Sequence, residues 1–235
     1  TQGTQTAALA VGGNQPGGQI TNTETYNGVA WAEVNNLNTA RTNITTLGTN
    51  TATIAAGGAP PAIANTELWN GTNWTEVNAM NTAKGTGSGA GDASNGLAFG
   101  GTPSPTAANT EVWNGTNWTE VNNLNSGRYS LGGAGTSTDA IGFAGSPEPS
   151  GVAITEKWNG TNWTEVNDLN TARTYIGSAG ISTAALGFGG LVGASYKAET
   201  EQYNGTNWTE VNNLNTGRFD TAGAGTTSAG LAYGG

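Results

Sequence analysis

A chain of 235 residues holds one large all-β domain or two ordinary ones, and its 39 glycines and 7 prolines stay below the share that marks aperiodic disorder. A formal charge of −9 with a pI near 4.3 and no basic cluster leaves no phosphate-neutralising surface, which argues against a nucleic-acid partner. Without histidine or cysteine the chain has no disulfide, no thiolate nucleophile, no imidazole base and few metal ligands, and no apolar run reaches the roughly eighteen residues of a membrane span.

The predicted elements repeat from the first residues onward. Residues 1–13 already read as mid-repeat sequence, as expected of a segment excised from a longer array. The first unit, 1–40, carries β-segments at 5–13, 23–26 and 31–36, marked by Leu9, Tyr26, the Asn27-Gly28 pair and Trp31. The second, 41–83, opens on Arg41 and repeats the markers as Ile54, Asn70-Gly71 and Trp74. Units 84–127 and 128–172 open on Lys84 and Arg128, with Leu97, Asn114-Gly115 and Trp118 in one and Ile141, Asn159-Gly160 and Trp163 in the other. In the fifth, 173–217, four β-segments separate cleanly at 173–180, 183–190, 200–203 and 207–212. A further pair follows at 218–225 and 228–235, so the second segment occurs six times and the third and fourth five times.

Successive tryptophans Trp31, Trp74, Trp118, Trp163 and Trp208 stand 43, 44, 45 and 45 residues apart, the period of a four-stranded propeller blade. A β-solenoid with two coils per period is the competing architecture. The Asn-Gly pairs oppose it, because they favour antiparallel hairpins whereas solenoid coils stack parallel strands. Short segments rich in Gly, Thr and aromatics, with no 3.6-residue apolar stripe, exclude helices. The expectation is a single all-β domain, a five-bladed propeller of four-stranded antiparallel blades. Its ring closes by pairing of the chain's two ends: 218–225 completes the blade of 23–26 and 31–36, and 5–13 keeps its place in it. The spare second segment fits an origin in a longer array or a continuation into another subunit.

The order of a basic residue, a β-segment, Gly-Gly and then Thr-Glu-Val-Trp-Asn-Gly-Thr-Asn-Trp at 110–118 resembles the Kelch repeat. Asn114 stands where Kelch units often carry Asp. The near-identical copies, such as Thr-Ala-Ala-Leu-Gly-Phe-Gly-Gly at 183–190 and Asn-Asn-Leu-Asn-Thr at 212–216, also resemble Kelch-like arrays in structural and tail-fibre proteins of marine bacteriophages. That resemblance implies a virion or extracellular setting.

The repeated aromatics read as inter-blade packing, since a blade cannot bury its face alone. Ten of sixteen acids recur in pairs such as Glu111 and Glu120, which the hairpin sets opposite one another, as it sets Trp113 opposite Trp118; Arg128 is the expected bridge between the two acids. Five copies of one carboxylate pair read as structure and not as a glycosidase site. The Asn-x-Thr triplets coincide with hairpin turns, which accounts for them without glycans. No catalytic residue, metal ligand or cofactor is expected.

The connection from second to third strand alone varies in length and wording, over 14–22, 59–65, 102–109, 146–154 and 191–199. Function concentrates in variable loops on a rigid scaffold. Pro61, Pro103, Pro105, Glu148, Pro149, Tyr196 and Lys197 are therefore the expected contacts for a protein or glycan on a host or virion surface. A non-catalytic adhesion module within a larger assembly is the leading expectation. A multivalent lectin with sites between blades is the alternative, and a hydrolase built on a unique acid such as Glu148 or Asp168 is the third.

Overall fold

The computed structural model describes residues 3–103, 106–147 and 151–235. Among them, strands and a single 3-10 turn at Thr106–Ala108 are the only regular elements. Five four-stranded antiparallel sheets form a five-bladed β-propeller. The first blade comprises Gly3–Thr4, Ala7–Gln15, Gly18–Tyr26 and Trp31–Val34, and the second Thr45–Thr49, Ala52–Ala56, Thr66–Trp69 and Trp74–Val77. The third comprises Ser88–Gly91, Gly96–Phe99, Thr110–Trp113 and Trp118–Val121, and the fourth Gly132–Gly135, Ala140–Phe143, Thr155–Trp158 and Trp163–Val166. The fifth is built from Gly177–Ile181, Ala184–Phe188, Thr200–Tyr203 and Trp208–Val211, with a small hairpin of Leu191–Val192 and Ser195–Tyr196 in its variable connection.

The hairpin of third and fourth strands is the most regular part. Its turn is held by the first asparagine: Asn114 Oδ1 accepts the N–H groups of Thr116 and Asn117 at 3.0 and 2.9 Å, and Asn70, Asn159 and Asn204 do the same. This Asx turn sets the expected register, with Trp113 opposite Trp118 and Glu111 opposite Glu120. The paired rings lie 5.4 Å apart. The fourth-strand indoles of the second to fifth blades then cross to the preceding blade, where Trp74, Trp118, Trp163 and Trp208 donate to the hydroxyls of Thr23, Thr66, Thr110 and Thr155 at 3.0–3.1 Å. The apolar core consequently lies between blades, as in the cluster of Leu47, Ile54, Met80, Trp113 and Trp118.

The repeated base has a different partner from the one expected. Arg128 reaches Glu156 of its own unit at 2.8 Å and does not bridge Glu111 and Glu120. Arg41–Glu67, Lys84–Glu111 and Arg173–Glu201 repeat the bond, with both partners buried. The fourth-strand glutamates face outward, where Asn22, Asn65 and Asn109 donate to Glu33, Glu76 and Glu120. Opposite register puts two carboxylates side by side, and burying one on a base while solvating the other removes the conflict.

Ring closure also departs from expectation in one respect. Ala7–Gln15 keeps its place in the first blade, but Gly3–Thr4 supplies the first strand there. Thr221–Gly225 pairs with Gly230–Gly234 as a separate two-stranded sheet. Both ends thus pair with sequence neighbours, which costs less chain entropy than joining ends over 200 residues apart. This C-terminal hairpin sits between the fifth and first blades. Gly190 N donates to Arg218 O at 2.8 Å on one side, while on the other Tyr233 Oη donates to Leu9 O at 3.1 Å and its ring lies 5.1 Å from Trp31.

Candidate functional site

The turn after each second strand, a Gly pair in four blades and Ala144-Gly145 in the fourth, fixes where the variable connections leave the sheet. A Cβ on Gly57 would lie 2.3 Å from the carbonyl oxygen of Lys84, a close approach that glycine makes easy, while in the fourth blade Ala144 takes the same left-handed place at a φ of 59°. Gly58 N donates to that same oxygen at 2.9 Å. The first loop residue then bridges back to the entry of its own first strand, as Thr42 does with Ala59, Gly85 with Thr102, Tyr129 with Ser146 and Thr174 with Leu191. Variable connections and first-strand entries therefore share one face of the propeller.

On that face a cavity of about 620 Å³ opens on the axis, lined by residues of all five blades and the C-terminal hairpin. Its walls carry Asn43, Thr86, Ser130, Tyr175 and Asp220, each two residues after the base of its unit. All five are left-handed, with φ between 52 and 56°. That backbone turns each N–H and C=O along the ring: Thr86 N donates to Asn43 O, Ser130 N to Thr86 O, Tyr175 N to Ser130 O and Asp220 N to Tyr175 O, at 2.7–3.0 Å. The belt ties unit to unit, and its regularity compensates a conformation that threonine, serine and tyrosine rarely adopt.

The belt is uniform in backbone and different at every side chain: amide, two hydroxyls, phenol and carboxylate. Asp220 is the one carboxylate among the described lining residues, and the surrounding protein raises its pKa by desolvation although the side chain is open to solvent. Beside it Phe219 lies 5.0 Å from Tyr196 and 6.0 Å edge-on from Tyr175, an aromatic sector confined to the fifth blade and the hairpin. Ser130 and Thr221 line the same cavity, and their hydroxyls are buried without a hydrogen-bond partner. A single carboxylate with no second acid or base beside it is suited to accepting hydrogen bonds, and no group of three Asp or Glu among the described residues is placed to hold a metal ion.

Of the residues expected from the sequence, Tyr196 is 62% exposed and joins the aromatic sector. Lys197 follows it, with Nζ 3.6 Å from Glu199. Pro61 and Pro103 are exposed on the connections of the second and third blades, apart from the cavity wall. Pro105, Glu148 and Pro149 lie outside the described residues. The five belt side chains escaped the sequence reading, although their signal was present: one aligned position held five different residues. No protein-family model matches the chain, and no curated protein matches it by sequence.

Proposed function

We propose that this chain is a non-catalytic binding module of a virion, an adhesion domain of the tail-fibre or decoration kind, that holds a host-surface or particle partner on the loop face. The Kelch-like wording of its units and their likeness to phage arrays supply the setting; the observation that carries the reading is the belt. Five unlike side chains at one repeated backbone position make one asymmetric site on the axis, not five equal ones. The unpartnered hydroxyls of Ser130 and Thr221 and the exposed ring of Tyr196 support a ligand there.

A lectin with equivalent sites between blades needs accessible aromatic faces, and Trp74, Trp118, Trp163 and Trp208 are only 5–6% exposed. The test is a glycan array followed by titration calorimetry on whatever binds. The expected result is one site per chain, weakened at least about tenfold by combined Tyr196→Ala and Asp220→Ala. Five equal sites indifferent to those changes would favour the lectin instead.

A further inference from the structure

The chain has four aspartates, and three of them hold the structure together. Asp92 Oδ1 accepts the N–H groups of Ser94 and Asn95 at 2.8 and 2.9 Å and closes a turn. Asp139 accepts the Ser182 hydroxyl of the next blade at 2.7 Å and pairs with Lys157 at 3.5 Å. Asp168 Oδ1 accepts Thr155 N at 2.9 Å, the bond that Asn123 and Asn213 make at the same place in their own blades. Asp220 has no such task. Desolvation alone raises its pKa, with neither a hydrogen bond nor a neighbouring charge to offset it, and no Lys or Arg stands among the described residues that line the axial cavity. Setting a carboxylate in a cavity without a partner costs free energy that an asparagine, as at Asn43 on the same belt, does not incur.

The neighbours of Asp220 are aromatic. Its N–H donates to Tyr175 O at 3.0 Å, and Phe219 precedes it with a ring 6.0 Å edge-on from Tyr175 and 5.0 Å from the exposed Tyr196. A carboxylate beside aromatic rings attracts an ammonium through its own charge and through the ring quadrupoles, and it repels an anion. Farther round, the wall is neutral and rich in amide and hydroxyl groups, with Asn43, Thr86, Ser130 and Ser178 contributed by successive units. Such a wall suits the hydroxyls of a sugar better than the alkyl stem of a lysine, and the buried Ser130 hydroxyl still lacks a partner.

We propose that the axial cavity takes an amino sugar with a free, protonated amine, the ammonium held by Asp220 beside Tyr175 and Phe219 and the ring hydroxyls by Asn43, Thr86 and Ser130. This deepens the reading of the axis as the recognition site and rests on it.

The probes are D-glucosamine, N-acetyl-D-glucosamine and Nα-acetyl-lysine amide, each titrated into the whole protein at neutral pH and followed by ligand-observed NMR. The expected result is one site for D-glucosamine, at least about tenfold tighter than for N-acetyl-D-glucosamine, whose amide nitrogen carries no charge. Asp220→Asn is expected to erase that preference at an unchanged melting temperature, because Asn43 already holds the same left-handed backbone on this belt. Equal binding of the two sugars by the unaltered protein, or a preference that survives Asp220→Asn, would overturn the amine assignment. Lysine amide bound as tightly as D-glucosamine would overturn the sugar and give the site to a protein side chain, and no binding of any probe at millimolar concentration would overturn the proposal too. The glycan array separates these failures from a failure of the axial site: a neutral or acidic glycan bound once per chain and lost with Tyr196→Ala leaves that site standing without the amine, whereas no ligand at all removes both.

Discussion

Lys84 is the odd member of a set of four buried bases. Arg41, Arg128 and Arg173 hold their glutamates at 2.8–3.0 Å, and each spans two backbone carbonyls with Nη1. Lys84 Nζ stands 3.8 Å from Glu111 and reaches only Asn109 O. A guanidinium fork fits this nest and an ammonium does not. Lys84→Arg is expected to stabilise the protein by about 1–2 kcal/mol in urea unfolding. Burial pushes the Lys84 pKa down to about 8 from 10.5. Between those values the unfolded chain holds the proton and the folded one has released it, so stability rises with pH across that window, and the cost is present in full below it. The gain is expected to be about 3 kcal/mol, the pull of Glu111 on the ammonium being already contained in that pKa. A Lys84→Arg variant that gains as much over the same pH range would refute the assignment to Lys84.

At the scale of the element, the hairpin of third and fourth strands is a fixed part whose worth depends on what the next blade offers it. Trp118 is 5% exposed, pairs with Trp113 and donates to Thr66. Its truncation to alanine is expected to cost about 3–5 kcal/mol. Trp31 has the same place in its hairpin but lacks the threonine, and its ring packs against Tyr26 and Tyr233 while 36% exposed. Trp31→Ala is expected to cost about 1–2 kcal/mol, and equal losses at the two sites would contradict the inter-blade account. These hairpins were legible in the sequence because Asn-Gly between strand residues has a local cause, the Asx turn. The belt was not, because φ > 0 at Thr86, Ser130 and Tyr175 runs against local preference and is imposed by neighbouring units. The misplaced bridge of Arg128 has a similar origin: the base lies next in sequence to the hairpin before it, and reaches instead across its own blade to Glu156.

For the whole molecule, the period and the blade count were readable because each unit repeats them. The seam was not, since two copies of the second strand compete for one place and sequence alone does not rank a local pairing against a distant one. The seam is also the weakest part of the ring. The junctions from the first blade to the fifth combine an indole–hydroxyl bond with asparagine bonds to the next hairpin, whereas the hairpin meets the first blade through Tyr233, its hydrogen bond to Leu9 O and its ring contact with Trp31. Native-state hydrogen exchange is expected to release amides of 221–234 and 3–15 first, with the third and fourth blades exchanging last. Uniform protection around the ring would mean that the ends are joined more firmly than these contacts provide.

The scaffold and the site are separable if the belt's backbone serves folding and its side chains serve recognition. Asparagine tolerates the left-handed region better than threonine, serine or tyrosine. The most direct test places asparagine at Thr86, Ser130, Tyr175 and Asp220 together, so that all five belt positions match Asn43, and follows thermal unfolding beside binding to the glycan or surface component that the array identifies. The expected result is a folded protein with an unchanged or higher melting temperature and binding reduced by at least about a hundredfold. A variant that keeps full binding would contradict the placement of recognition on this belt, and one that fails to fold would contradict the separation of scaffold from site.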